Sequence, residues 1–416
     1  MKTLGIYIHI PFCARKCAYC DFYSLPGKTQ HMPKYAHAVI EHIKESALQL
    51  SGYYIDTVYF GGGTPSYFGA DRLIDIFEAL KQSGNVLVDS EVTLEANPDS
   101  TSKADLIKLR KAGFNRISFG IQDTDDDMLK KLGRLHTFAK AREAVENARA
   151  AGFKNISIDL MYGLPSQTKE AWAATLAKAL TLKPDHISCY GLKLAPGTEM
   201  YIYHDSPFIP DDDTQADMYL YAVEYLQRFG YRQYEISNFS RKGYESAHNL
   251  KYWTGQEYLG FGAAAHSYIG SMRFGNIADI DGYTTSIETG EKVIEQIEKI
   301  TPFEKASEYI MLGLRTTKGI CEEEYRAIYP ANFDIISEKL KSWEKHSWTV
   351  KVNDRWSFTP QGFLISNTLI GQLLDVQSEQ SYVMSRPWQD EDEVKTLKQN
   401  SLPQKSLAED TAFHGI

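Results

Sequence analysis

Three cysteines, Cys13, Cys17 and Cys20, fall on one short run, Cys-Ala-Arg-Lys-Cys-Ala-Tyr-Cys. A loop this short brings three sulfurs together and supplies no fourth. Structural zinc and iron–sulfur sites ordinarily take four protein ligands. A three-thiolate site leaves one metal position open to a chelating small molecule, and an open position is where metal chemistry occurs. The triad alone does not name the metal, because His9 or Asp21 could complete a zinc site.

Other polar residues fall where such a site could use them. Gly61-Gly62-Gly63-Thr64-Pro65 directly follows a strand candidate ending at Phe60. Glycines there let backbone groups approach a ligand closely, although a tight strand-exit turn would use the same letters. Glu95, Gln122 and Asp159 fall at or just past the ends of three successive strand candidates. In a parallel (β/α) barrel those ends converge on the face that carries the active site. Ordinary strand-end caps are the simpler alternative for any one of them.

The elements that must position these residues form a regular rhythm. Strand candidates Gly5–Ile10, Thr57–Phe60, Glu91–Glu95, Arg116–Gly120, Asn155–Leu160 and His186–Tyr190 alternate with amphipathic helical stretches, the signature of parallel βα units. Gly113-Phe114, Gly152-Phe153 and Gly230-Tyr231 each end a helix and place an aromatic before the next strand. The pattern fits a partial barrel or a doubly wound sheet. The α/β rhythm covers 1–237. Residues 238–303, rich in Gly, Tyr, Asn and Ser, read as an irregular connecting segment. Helices and a small β-pair over 304–375 read as a smaller α+β, winged-helix-like domain. Residues 376–416 read as a polar, peripheral tail with the acidic run Asp390-Glu391-Asp392-Glu393.

Bulk properties narrow the class. The 416 residues are 43% hydrophobic and 24% charged, an ordinary globular composition. No apolar run approaches the ~20 residues of a membrane span, and the N-terminus lacks a signal-peptide pattern. The expectation is a cytoplasmic protein. Five cysteines, an odd number with three clustered, argue against a disulfide framework. A formal net charge of -9 and the lack of a basic recognition helix argue against a nucleic-acid partner.

The run Tyr7-Ile8-His9-Ile10-Pro11-Phe12-Cys13 leading into C-x3-C-x2-C, with Tyr19 before the last cysteine, resembles the radical S-adenosylmethionine (SAM) superfamily. The similarity is to the branch of oxygen-independent coproporphyrinogen III oxidases and their heme-chaperone relatives. It implies a (β/α)6 partial barrel and a [4Fe-4S] cluster on Cys13, Cys17 and Cys20, with SAM on the fourth iron. It also implies that Gly62, Gly63 and Thr64 meet the SAM amine, that Glu95, Gln122 and Asp159 hold the ribose and neighbouring groups, and that Arg134 pairs with the SAM carboxylate. Tyr7 and Tyr19 would line the cofactor, and Lys193 would give a backbone contact.

Two features separate the relatives. The oxidases carry C-x3-C-x2-C-x-C, and here Phe22 stands in the place of the fourth cysteine. His248-Asn249-Leu250-Lys251-Tyr252-Trp253 matches the H-N-x-x-Y-W motif of the chaperones. Imidazole is a good axial heme ligand, so His248 is the expected heme contact; a structural corner is the alternative. His266 is a second candidate porphyrin neighbour, with a structural histidine as the simpler reading. The resemblance therefore implies a heme chaperone with heme or a porphyrin as cargo and an unidentified acceptor protein. A flavodoxin- or ferredoxin-type electron donor, peripheral membrane contact through the acceptor, and a dimer are compatible with it. The alternative function is oxidative decarboxylation of coproporphyrinogen III. Cys189 and Cys321 are expected to be structural.

Overall fold

The structure is a computed structural model that describes residues 2–329 and 332–385, with side chains to residue 379. The chain divides into two compact units, residues 1–252 with 256–299, and residues 253–255 with 300 onward.

In the first unit all six expected strands form and run longer than the sequence suggested: β1 (Lys2–Ile10), β2 (Tyr53–Gly62), β3 (Asn85–Ala96), β4 (Arg116–Gln122), β5 (Asn155–Tyr162) and β6 (His186–Gly191). Each pairs in parallel with its neighbour in chain order. Consecutive order without a reversal is the winding of a (β/α)6 partial barrel, and it excludes the doubly wound alternative. Helices α1 (Met32–Glu45), α2 (Ala70–Ser83), α3 (Lys103–Ala112), α4 (Phe138–Ala151), α5 (Lys169–Leu180) and α6 (Asp212–Arg228) fill the crossovers.

Strand alternation sorts side chains to two faces. Ile6, Ile8, Phe60, Leu94, Phe119 and Ile158 point outward into one continuous, fully buried core shared with the helices. The inner face is polar. Thr93, Arg116, Ser118, Ser157, His186 and Ser188 lie on it and are buried. The barrel thus encloses hydrogen-bonding groups rather than the stacked aliphatic layers that fill many (β/α) barrels.

Residues 238–303 correct the expectation of irregular structure. After β7 (Arg232–Gln233) come β8 (Asn238–Ser240), α7 (Ala247–Trp253), β9 (Tyr258–Phe261), β10 (His266–Ile269), β11 (Met272–Asn276), α8 (Ile280–Thr289) and β12 (Ile294–Lys299). β9 pairs in parallel with β1, and β10 to β12 extend the sheet as antiparallel neighbours, giving the order β12-β11-β10-β9-β1-β2-β3-β4-β5-β6-β8-β7. The sheet stays open: β6 turns to antiparallel β8 and β1 to β9.

The second unit holds α9 (Pro302–Gly313), β13 (Ile320–Cys321), α10 (Glu322–Ile328), α11 (Asp334–Glu344), β14 (Thr349–Val352), β15 (Arg355–Phe358) and α12 (Ser366–Ser385). A capping box, Thr301 with Glu304, starts α9. The expected β-pair is present as the antiparallel hairpin β14–β15. Helix α12 runs through residue 376, the expected start of the tail. Gln377 is buried within α12, where its side chain accepts from Ser307 Oγ at 2.8 Å and donates to Tyr325 Oη at 3.1 Å. The acidic run 390–393 lies outside the described residues.

Candidate functional site

The cysteine loop leaves β1 at its C-terminal end and is tied down by backbone bonds on three sides. Phe12–Cys13 pairs with Leu25–Pro26, which closes the loop on itself. Gly63 N donates to Ile10 O at 2.9 Å and Thr64 N to Phe12 O at 2.9 Å, joining the loop to the glycine run after β2. Ala18 N donates to Leu132 O at 3.0 Å, and Met200 N to Ala18 O at 2.8 Å. Cys13, Cys17 and Cys20 are all free thiols. Burial pushes the Cys13 thiol up to about 11, and the neighbouring Cys20 and Cys17 add to the shift while Thr64 Oγ1, 3.3 Å from the sulfur, opposes it. The three sulfurs therefore sense one another at the head of the barrel.

The glycine run is built for close approach. Gly62 has φ +114°, and a Cβ there would lie 2.6 Å from His9 Nδ1. A Cβ on Gly63 would lie 2.8 Å from the carbonyl oxygen of Pro11. Only glycine fits at these two positions while the loop and the strand exit stay in contact. His9 is held there by Tyr7 Oη at 3.0 Å and by the Tyr23 carbonyl at 3.3 Å.

Below this level the inner face carries acid and base groups. Glu95 accepts from Tyr59 Oη at 2.7 Å and from Gly62 N at 3.1 Å. Burial pushes its carboxyl up to about 7, against the lowering effect of the Tyr59 bond. Asp159 lies inside β5 rather than at its end. It accepts from Ser188 Oγ at 2.7 Å and Ser118 Oγ at 3.2 Å, and burial raises its pKa too. Gln122 ends β4 at a register shift, with φ 71°. Arg134 donates to Asn97 Oδ1 at 2.7 Å, to Cys17 Sγ at 3.4 Å and to the Gly120 carbonyl, while its Nε is buried without a partner.

The structure thus brings Cys13, Cys17, Gly62, Gly63, Thr64, Glu95 and Arg134 into one connected network. Tyr19 joins the network through a side-chain hydrogen bond with Cys17 and its proximity to Arg134, and its ring packs on a small cluster with Met161, Leu164 and Met200. Lys193 lies exposed beyond β6. Sequence reading missed Asn97, which bridges Arg134 to Thr64 Oγ1 (3.3 Å). It also missed Tyr59, Ser118 and Ser188, which hold the two carboxylates. The available signal was Asn97-Pro98 directly after a strand, a polar residue at the end that faces the site.

His248 is enclosed in a hydrogen-bonded corner. Its Nδ1 pairs with Thr57 Oγ1 at 2.9 Å and its Nε2 with Tyr252 Oη at 2.9 Å, and the residue is buried. Burial, then Lys251 and Arg116, hold its pKa down to about 3. Neighbouring groups of the corner are paired as well, although Trp253 Nε1 is buried without a partner among the described residues. Lys251 Nζ reaches Asp56 Oδ2 at 2.9 Å, and the Glu91 carboxylate accepts from the Ala247 and His248 amides at 3.1 and 3.0 Å. An imidazole with both nitrogens engaged has no lone pair to give to iron. Both nitrogens are thus paired as in the structural corner given above as the alternative to a heme contact.

The residues at the barrel head fit an iron–sulfur cluster with a chelating cofactor. The donor set is three soft thiols on one loop, the glycine cradle would be filled by any Cβ, and Arg134 Nε is buried and unmatched. Among the described residues no three His, Cys, Asp or Glu side chains are arranged to hold a single metal ion, so the fit rests on the donor chemistry.

Comparison with known proteins agrees with this geometry. The Radical SAM superfamily model matches residues 7–179. "Heme chaperone HemW" of Bacillus subtilis is 35% identical over 375 residues, 88% of this chain and 98% of the relative. The Escherichia coli protein of the same name is 31% identical over 375 residues, 89% of this chain and 98% of the relative. Among solved structures, the coproporphyrinogen III oxidase HemN from E. coli matches with a TM-score of 0.79 at 23% identity, covering 90% of each chain, and supports the fold. The chain belongs to the radical SAM superfamily and, within it, to the family of the heme chaperone HemW.

Proposed function

We propose that this chain is a heme chaperone, which holds heme and passes it to an acceptor protein. The observation that carries the reading is its similarity, over 98% of their length, to proteins named for that activity. Phe22 in the place of the oxidases' fourth cysteine supports it, as that position is an exposed phenylalanine here. In this reading Cys13, Cys17 and Cys20 hold a [4Fe-4S] cluster, and Gly62, Gly63 and Thr64 offer backbone and hydroxyl groups to SAM. When bound, such a cluster supplies an electron to the SAM sulfonium. Arg134, with its unmatched Nε, would pair with the carboxylate of the cofactor. Asn97 and the Gly120 carbonyl orient the guanidinium. Glu95, with its carboxyl pushed up to about 7, holds a proton near neutral pH and can accept or donate a hydrogen bond to a ribose hydroxyl. In the same reading Gln122, Tyr7 and Tyr19 line the cofactor, with Asp159 deeper on the inner face. A cytoplasmic setting goes with this role; among the described residues no helix is long and apolar enough to cross a membrane.

The test is a ferric heme titration into anaerobically purified protein, followed by transfer to a heme-free acceptor. Stoichiometric binding and transfer are expected. Protein that binds no heme, or that converts coproporphyrinogen III to protoporphyrinogen with SAM and a reductant, would sink the proposal and favour the oxidase.

A further inference from the structure

We infer that His266, on the added strand β10, is the protein ligand to heme iron; this rests on the chaperone reading and replaces His248 in that role. A coordinating imidazole needs a ring nitrogen free of other bonds and room for a macrocycle several ångströms across on its open side. His9, His186, His248 and His266 share the inner face of the sheet. The ring nitrogens of the first three are all engaged: His9 by Tyr7 Oη and the Tyr23 carbonyl, His186 by Ser157 Oγ (2.7 Å) and Tyr234 Oη (2.8 Å), and His248 by Thr57 Oγ1 and Tyr252 Oη. All three are buried. His266 is exposed, and among the described residues neither ring nitrogen has a hydrogen-bond partner.

Register explains why this imidazole stands clear. Tyr7 of β1 pairs with Gly260 of β9, and the Tyr258–Tyr268 pair sets His266 alongside Gly260. His266 in turn pairs with Gly275 of β11, which pairs with Gln296 of β12. The imidazole is therefore flanked by a glycine on each side in its own row. It lies against the bare backbone of Gly275, where a Cβ would come within 3.1 Å of both Nδ1 and Cε1. Any side chain at 275 would push the ring away. The flanking glycines leave a flat floor in place of neighbouring side chains, a surface a planar macrocycle can cover. The ring sits at the head end of the barrel, close enough to His9 for their charges to interact, and His9 packs on Gly62 beside the cysteine loop. Burial and the nearby Arg273 hold its pKa below the ordinary value, which keeps the ring neutral, the form that binds metal.

The experiment is a ferric heme titration of anaerobically purified full-length protein and the variants H266A, H266A with added free imidazole, and H248F. Affinity is read together with the histidine-ligated signature in electron paramagnetic resonance. Iron and sulfide content reports that the barrel and loop are intact. H266A is expected to lose the histidine signature and to weaken binding by more than the roughly 10-fold that loss of a supporting residue costs a metal site. Free imidazole should restore the signature, and H248F should keep it. A wild-type signature in H266A would overturn the assignment and leave the chaperone reading standing. Failure of the wild-type protein to bind heme would overturn both.

Discussion

At the head of the barrel, side chains hold hydrogen-bonding capacity in reserve. Arg134 keeps a buried Nε unmatched, and Gly62 and Gly63 keep space that any Cβ would fill. The His248 corner sits on the same inner face, and there the capacity of the imidazole is spent. Both imidazole nitrogens are bonded, Lys251 is paired with Asp56, and Glu91 caps the short helix that carries the motif. Both regions announced themselves by a dense local motif of chemically capable residues. What separates them is satisfaction. Groups that pair fully with one another act as a latch, here fastening α7 to β2 and β3. Groups held with capacity to spare are available to a ligand, because burying an unmatched polar atom is costly unless something else completes it.

The largest contrast should come from the cysteines. Cys13→Ala, Cys17→Ala or Cys20→Ala should remove essentially all cluster iron and sulfide, while His248→Phe keeps both. Chemical quantitation after anaerobic purification decides, and a full cluster in all three cysteine variants would place the cluster elsewhere.

The corner should respond in stability. His248→Ala leaves Thr57 Oγ1 and Tyr252 Oη without their partner and opens a cavity, costing about 2–4 kcal/mol in urea unfolding. The same corner has a pH signature. His248 titrates near 3 in the folded chain against 6.5 ordinarily. Between those values the unfolded chain binds a proton that the folded chain refuses, so stability rises with pH there. Its contribution is intact above pH 6.5 and is lost as pH falls toward 3. Glu95 runs the other way: its pKa is raised from 4.5 to about 7, so its contribution is present at acid pH and fades as pH rises through 7. His248→Phe should therefore flatten the acid decline of stability between pH 6.5 and 3 by about one proton. An unchanged slope would mean that the ring is not buried neutral.

A smaller effect is expected at the glycine cradle. Gly62→Ala forces a Cβ into the left-handed region and onto His9, at a cost on the order of 1–3 kcal/mol. SAM affinity should fall with it, as read by isothermal titration; unaltered affinity would argue that the cradle is only a turn. The smallest expected effect is that of Arg134→Lys. It keeps the charge but loses the planar fork, and should weaken SAM binding by roughly tenfold, or about 1.4 kcal/mol, with the melting temperature little changed.

Most of the barrel was legible in advance. Outward-facing Ile, Val, Leu and Phe mark every second position of the six strands, and helices between them dictate parallel pairing. The polar lining was harder. Thr93, Arg116 and Ser157 alternate with apolar neighbours just as solvent-facing residues would, yet all are buried. Alternation shows that a strand has two unlike faces; it does not show whether the polar face meets water or the inside of a barrel. The strands of 238–303 were missed for a related reason. They are short, glycine-bearing and partly exposed, β12 along its whole length, so their hydrophobic period is weak. β9 to β12 build outward from the edge of β1, and β8 pairs at the opposite edge with β6.

By itself the sequence determined the count and spacing of the three thiols, the phenylalanine in place of a fourth, and the order of the βα units. Each is a local property that no packing can alter. Which polar groups stay open was decided only by the tertiary structure. A histidine's availability depends on partners that arrive from distant strands: His248 meets Thr57 across 191 residues, while His266 lies between glycines brought beside it by sheet register.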